Sequence, residues 1–338
     1  MTIQTAPAEL QNEPRKAGAS RRPARHAVQS RAVLKAKTIE LPTDASVDDA
    51  IAAIIVNTRD HWNANYNAAL QGRDIEGIHQ IRVSLRRFRS ALSLFKAYIP
   101  DTQRDWLNGE ARWLLSELGP IRDLDAFSSE LLPAFSNQSV DTKRNTALNQ
   151  ALKAARRHAH AKARTALEAS RTQRFLRRLD TWASARGWRN TAQDDVKDAT
   201  SALARDFAKR ALNKQMVKIL AHGKRIDMLP IAELHKIRIA VKKTRYGVEF
   251  FRSILPNRRT GKLAASLKEL QDSLGHLNDL EMAEQIVGQM TSAAKSTEAA
   301  SEITATGSAV VAYHRQAAEN AVHGIAPRWR NVRKIGLI

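Results

Sequence analysis

The chain has 338 residues and carries 55 Lys and Arg against 34 Asp and Glu, a formal charge of +21 with a pI near 10.6. A field of this size attracts polyanions and speeds their association without dictating a fold. Cysteine is absent, which excludes disulfides and thiolate metal sites, and there is no run of 18 apolar residues and no signal-peptide core, so neither a membrane span nor secretion is expected.

Ala, Leu, Arg and Lys dominate, and alternating β-branched runs are nearly missing, so the expected class is all-α in a soluble, cytoplasmic protein. Residues 1–40 stand apart. Pro7, Pro14 and Pro23 lie among Arg15, Lys16, Arg21, Arg22, Arg25, Arg31, Lys35 and Lys37 with little apolar periodicity. Such a segment buries too little surface to offset its ordering entropy, so a basic, disordered tail is expected. It reads either as a solubilising extension or as an arm that adds contacts to a polyanion. Glu9 and Glu13 argue against a mitochondrial transit peptide.

From Asp44 or Ser46 a helix is predicted through Val47, Ile51, Ile54 and Ile55 to Leu70, ended by Gly72. A second spans Ile75 to Tyr98 and stops at Pro100, and a third spans Thr102 to Leu118, closed by Gly119-Pro120. A short helix from Arg122 to Leu132 is stopped by Pro133, and longer ones follow over Asp141–Ala169 and Arg174–Ala185. Gly187 and the polar Asn190–Asp195 stretch mark a boundary, after which the order repeats from a helix at Ala199–Leu220 to one at Ser296–Val322. The domain after the tail is therefore read as 41–338, in two four-helix-bundle-like halves, 41–189 and 190–338.

The second half repeats the first in sequence. His79-Gln-Ile-Arg82-Val-Ser-Leu-Arg86-Arg87-Phe-Arg89 returns as His235-Lys-Ile-Arg238-Ile-Ala-Val-Lys242-Lys243-Thr-Arg245. Leu118-Gly119 and Asp123-Leu124-Asp125 answer to Leu274-Gly275 and Asp279-Leu280-Glu281, and Phe95 and Pro100 to Phe251 and Pro256, all at an offset of 156. At about 100° per residue, His79, Arg82, Arg86 and Arg89 fall within about 80° of one another, beside the apolar arc of Ile78, Ile81, Leu85, Phe88, Leu92 and Phe95. His235, Arg238, Lys242 and Arg245 form the same stripe on the second copy. Unpaired cations on adjoining turns cost several kcal/mol each when buried, so each stripe must border water, acids or a bound anion. Asp123 and Asp279 can hold one Arg each but cannot neutralise the rest.

Inorganic polyphosphate fits this arrangement. Arg binds phosphate oxygens through a planar fork, Lys adds a compact charge, and His donates a hydrogen bond. Binding should weaken steeply with salt through counterion release, as for nucleic acids, which the stripes alone do not exclude. A second basic face, Lys153, Arg156, Arg157, His160 and Arg164, lies on the long helix of the first half, and His158 aligns with His314 at the repeat offset. Lys153, Arg157, His158 and His314 are therefore additional candidates, against the plainer reading of a solvated outer face.

The paired His-x-x-Arg-x-x-x-[Arg/Lys]-[Arg/Lys]-x-Arg helices, each followed by Leu-Gly-x-x-x-Asp-Leu-[Asp/Glu], closely resemble the CHAD domain, the conserved-histidine α-helical domain, over roughly residues 45 to 334. The resemblance implies two helical bundles related by pseudo-twofold symmetry around a central basic groove or pore. It further implies binding of inorganic polyphosphate and association with polyphosphate granules. The implied binding set is His79, Arg82, Arg86, Arg87 and Arg89 with His235, Arg238, Lys242, Lys243, Arg245 and Tyr246, although Arg87 and Lys243 lie well round the helix from the main stripe. Symmetry breaks after Gly119, where Arg122 is matched by Asn278 and Pro120 by His276, so Arg122 and His276 each serve one side only. Many CHAD domains adjoin a CYTH-type triphosphatase domain; a 40-residue tail leaves no room for one, and no catalytic activity is expected.

Two other classes compete. A metal hydrolase would need carboxylates beside His79 and His235, where cations stand instead, so no metal and no cofactor is expected. A nucleic-acid-binding or nucleoid-associated protein suits the charge and the tail but shows no recognition motif or stacking positions. A granule scaffold would share the polyphosphate site and use the tail to reach DNA or granule-associated proteins.

Overall fold

The computed structural model describes residues 33–136, 146–190, 199–255 and 257–338. The tail up to residue 32, the helix start expected at Asp141, the polar stretch after Asn190 and Pro256 lie outside the described residues. Within these the regular elements are helical, and extended backbone pairs only at an isolated antiparallel bridge, Ser46 with Leu203.

Helix α1 (Val47–Gln71) opens on Ser46, whose hydroxyl accepts from the Asp49 amide at 3.1 Å while the Asp49 carboxylate accepts from the Ser46 amide at 3.3 Å. Gly72 closes it at φ +62°, and the His160 ring fills the space a side chain there would need. Helix α2 (Ile75–Leu94) starts at Asp74, whose carboxylate accepts from the Glu76 amide at 2.8 Å. Its apolar face of Ile78, Ile81, Leu85, Phe88 and Leu92 is buried, and α1 packs along it. α2 ends before the expected Tyr98, because a turn at Phe95 carries Phe95 and Ile99 into the core.

Helix α3 (Asp101–Glu117) follows Pro100, and α4 (Gly119–Ala126) begins earlier than Arg122 because Pro120 falls in its first turn, where no amide hydrogen is needed. Pro133 does not stop the chain. A π-turn (Phe127–Leu131) shifts the hydrogen-bond register and leads into α5 (Leu132–Ser136), so this proline also occupies a first turn. Helices α6 (Thr146–Glu168) and α7 (Ser170–Ser184) follow. The start of α7 precedes the expected Arg174 because the buried Thr172 hydroxyl donates to the Ala166 carbonyl at 2.7 Å.

A short 3₁₀ turn (Gly187–Arg189) then reaches back to α1. The buried Asp48 carboxylate accepts from Trp188 Nε1 at 2.7 Å and Arg189 Nη2 at 2.5 Å and is also paired with Arg186. A carboxylate buried this deeply requires such partners.

The remaining helices are α8 (Ala204–His222), α9 (Ile231–Phe250), α10 (Arg258–Ser273), α11 (Gly275–Ser292) and α12 (Thr297–Ile335). α12 runs past the expected Val322 because Ile325, Trp329 and Val332 continue its buried face, while Pro327 lies on its exposed side. α2 packs on α9, and α1 on α8. Between them the rings of Phe95, Phe207 and Phe251 cluster, with centroids 5.0 to 6.2 Å apart. Both ends of α9 lie 156 residues beyond those of α2.

The last residues of the expected tail belong to the folded unit. Asn65 accepts from the Leu34 amide at 2.9 Å and donates to its carbonyl at 2.8 Å, and Ile39 and Leu41 are buried. Their apolar side chains outweigh the local excess of charge, so the segment is held from Leu34 onward.

Candidate functional site

α2 and α9 border one groove of about 870 Å³. His79, Arg82, Arg86 and Arg89 of α2, with Lys96 just past its end, line one wall. Arg238, Lys242, Lys243 and Tyr246 of α9 line the other. Arg104 and Asn108 of α3 and Arg122 of α4 add to the first side. The lining therefore holds nine Lys and Arg against three carboxylates, Asp123, Glu130 and Asp279.

Several cations are fixed by the protein. Arg82 Nη1 donates to the Leu115 carbonyl at 2.5 Å, and Arg89 Nε to Asn108 Oδ1 at 2.8 Å. Arg122 donates from Nε to His79 Nδ1 at 2.7 Å and from Nη2 to Glu130 at 2.9 Å. Arg82, Arg86 and Arg238 each keep a buried Nε–H that no protein atom accepts. Buried donors are normally satisfied, and Arg87 and Arg245 outside the lining share this feature.

The crowding depresses the cations. Burial, then Arg238, Arg86, Arg245 and Arg82, brings the Lys242 ammonium down to about 7. Burial and Arg86 lower Arg82 to about 10. Burial lowers Arg238 too, against the opposing pull of Asp279. Loss of surrounding water pushes Asp123 and Asp279 up, while Arg82 and Arg122 pull the first back and His276 and Arg238 the second. Arg86 of α2 acts on both Arg238 and Lys242 of α9, so the two rows share one field.

The CHAD domain family model matches residues 53–288. This chain belongs to the CHAD domain family. It is similar to the crystal structure of the CHAD domain from the plant Ricinus communis, at 26% identity and a TM-score of 0.72, over 86% of this chain and 96% of that one. It also shares the fold of PptA from Streptomyces chartreusis, at 19% identity and a TM-score of 0.60, over 85% of this chain and all of that one. No match was found among curated proteins.

Not every residue expected at the CHAD site lies in the groove. Arg87 is a correction: it is 5% exposed and pairs with Glu249 of α9 at 2.8 Å and Asn57 of α1 at 3.2 Å, its guanidinium 5.0 Å from the Phe250 ring. Arg245, although on the stripe of Arg238 and Lys242, turns to the same Glu249 at 3.4 Å and is outside the lining. His235 and His276 are exposed and outside the lining, although His276 acts on Asp279. The second basic face is dispersed. Arg156 pairs with the buried Asp125 at 2.7 Å, Arg164 with Glu168 at 3.2 Å, and Lys153, Arg157 and His158 are exposed away from the groove. His314 is buried, with Nε2 3.0 Å from the Leu131 carbonyl, so it is tied into the interior.

Lys96 and Arg104 were not anticipated. Lys96 continues the stripe through Arg82, Arg86, Arg89 and Ser93 in steps of four, three, four and three, so its spacing carried the signal. Arg104 lies on α3, outside the repeated stripe, and is bonded to Asp101 and Asp105 beside it. Among the described residues no group of three or more His, Asp or Glu side chains is arranged to hold a metal ion, and no helix is long and apolar enough to cross a membrane.

Proposed function

We propose that this CHAD domain binds inorganic polyphosphate in the groove between α2 and α9 without turning it over. The observation that carries the reading is the shared groove itself: cations from both helices line one cavity, and three of its arginines keep buried N–H groups unsatisfied. A flexible chain with charge on every phosphate supplies acceptors at close spacing, and forks on Arg82, Arg86 and Arg238 suit its oxygens. The binding set on this reading is His79, Arg82, Arg86, Arg89, Arg122, Arg238, Lys242, Lys243 and Tyr246, with Lys96 and Arg104 added. The groove is a site of binding rather than hydrolysis, since a divalent ion entering it would meet the field of nine cations.

The sequence repeat supports reading residues 41–189 and 190–338 as duplicated halves related by a pseudo-twofold axis, which would bring the two ridges face to face. Cytoplasmic polyphosphate granules are then the natural location, with the tail as the contact to DNA or granule-associated proteins.

A nucleic-acid ligand would favour open rings for stacking. Trp106 and Trp113 lie outside the groove, covered by the guanidinium groups of Arg178 at 4.0 Å and Arg171 at 4.1 Å, and Tyr246 in the groove wall is buried. Competition separates the ligands. Long-chain polyphosphate is expected to displace a labelled oligonucleotide at far lower phosphate concentration than the reverse. The opposite order would transfer the groove to nucleic acid, and release of orthophosphate by the chain would overturn binding without turnover.

A further inference from the structure

The two walls of the groove carry different kinds of donor. On the first, His79 Nδ1 accepts the Arg122 Nε–H at 2.7 Å, and Arg122 is itself held by Glu130 at 2.9 Å. An Nδ1 occupied as an acceptor leaves the ring proton on Nε2, on a side chain that lines the groove. Protonating Nδ1 would break the bond to Arg122 and set two cations in contact. Burial, then Arg122 of α4 and Arg86 of its own helix, hold the ring down to about 4, against the opposing pull of Glu76 of the same helix and Glu130 of the π-turn. The matching place on the other side has Asn278 instead of Arg122, and His235 lies outside the groove.

On the second wall, Lys242 is walled in without a carboxylate of its own. The charges acting on it are Arg238 and Arg245 of α9 and Arg82 and Arg86 of α2. Asp279 of α11 acts instead on Arg238, Asp123 of α4 on Arg82, and Glu249 is taken by Arg87 and Arg245. α8 and α10 also pack on α9, and none of their side chains lines the groove.

Resting on the polyanion reading above, we propose that His79 donates to the bound anion as an uncharged ring aimed by Arg122, a positioning residue, and that filling the groove draws a proton onto Lys242. Phosphate oxygens replace the missing carboxylate beside Lys242 and raise its proton affinity, so binding and protonation are linked. The sign follows. Below about pH 7 the free ammonium is already charged and this group adds no dependence, whereas above it affinity falls toward about tenfold per pH unit.

Two measurements on the full chain test this. In the free protein, 15N-histidine spectra are expected to show His79 with its proton on Nε2 and no titration between pH 5.5 and 8. Arg122→Met should lose the single tautomer and Arg122→Lys should restore most of it; a His79 that titrates near its ordinary value, or a tautomer indifferent to Arg122→Met, would overturn the first half. For the second, calorimetry with long-chain polyphosphate at pH 8 in buffers of different ionisation heat is expected to report proton uptake that persists in His79→Gln and vanishes in Lys242→Arg. Uptake retained in Lys242→Arg overturns the linkage. No polyphosphate binding by the wild-type chain would remove the functional reading and the linkage together, while the free-protein spectra would still decide the role of Arg122.

Discussion

Lys242 illustrates what crowding cations into the groove costs the protein. Its proton affinity in the folded chain, about 7, lies well below that of an unfolded lysine because burial and four guanidinium groups oppose its charge. Between about pH 7 and 10 the unfolded state therefore binds more protons than the folded one, and this residue's contribution to stability improves as pH rises through that window. Lys242→Met is expected to raise Tm by about 2–4 °C at pH 7, with the gain shrinking toward pH 10, while polyphosphate binding weakens. Thermal melts across pH check the sign; a lower Tm at pH 7 would show that the ammonium is not under strain. Arg87 behaves in the opposite way. Its bonds to Glu249 and Asn57 and its place on the Phe250 ring make it a tie between α2 and α9, so Arg87→Met is expected to cost about 2–4 kcal/mol in denaturant unfolding and to leave the groove's anion affinity intact in the folded fraction. Sequence spacing showed that Arg87 lies off the stripe. Its destination, Glu249, is 162 residues away in the chain and left no local trace. The stripe itself was legible because His79, Arg82, Arg86 and Arg89 sit at helical steps beside a clear apolar face.

Among the helices, legibility followed how local the signal was. α1 was readable at both ends, since Ser46, one of two cap candidates with Asp44, and Gly72 are signals contained within one turn. Gly72 has a further duty that only packing reveals, because the His160 ring of α6 occupies the place of its missing side chain. Gly72→Ala therefore combines a left-handed backbone with a displaced ring, and a loss of about 1–3 kcal/mol is expected, measured as a shift in denaturant midpoint. A neutral result would mean that α6 can move away without cost. The prolines misled for a related reason. Pro120 and Pro133 punctuate the sequence as stops, yet each falls in a first helical turn, and the π-turn that makes this so for Pro133 has no sequence signature. The stripe on α6 was similarly ambiguous, because its periodicity says nothing of the buried Asp125 that claims Arg156.

Across the molecule, the arrangement that matters is α2 against α9. The Phe95, Phe207 and Phe251 cluster and the Arg87–Glu249 pair hold these helices together, and that contact sets both cationic rows on one cavity. The residue spacing could state that two such rows exist and that each must border water, acids or an anion; a shared groove was implied only by the family resemblance, because it depends on packing between segments some 156 residues apart. A shared field also makes the account quantitative. Neutralising several phosphates at once releases counterions, so the logarithm of affinity should fall linearly with the logarithm of salt concentration, and removing cations should flatten that slope. The most direct test is a titration of long-chain polyphosphate into the wild-type chain and into Arg82→Ala/Arg86→Ala/Arg238→Ala/Lys242→Ala at several salt concentrations, with circular dichroism confirming equal helicity. The account predicts at least about a hundredfold loss of affinity and a shallower salt slope in the variant. A folded variant that binds within about threefold of wild type, with an unchanged slope, would contradict it.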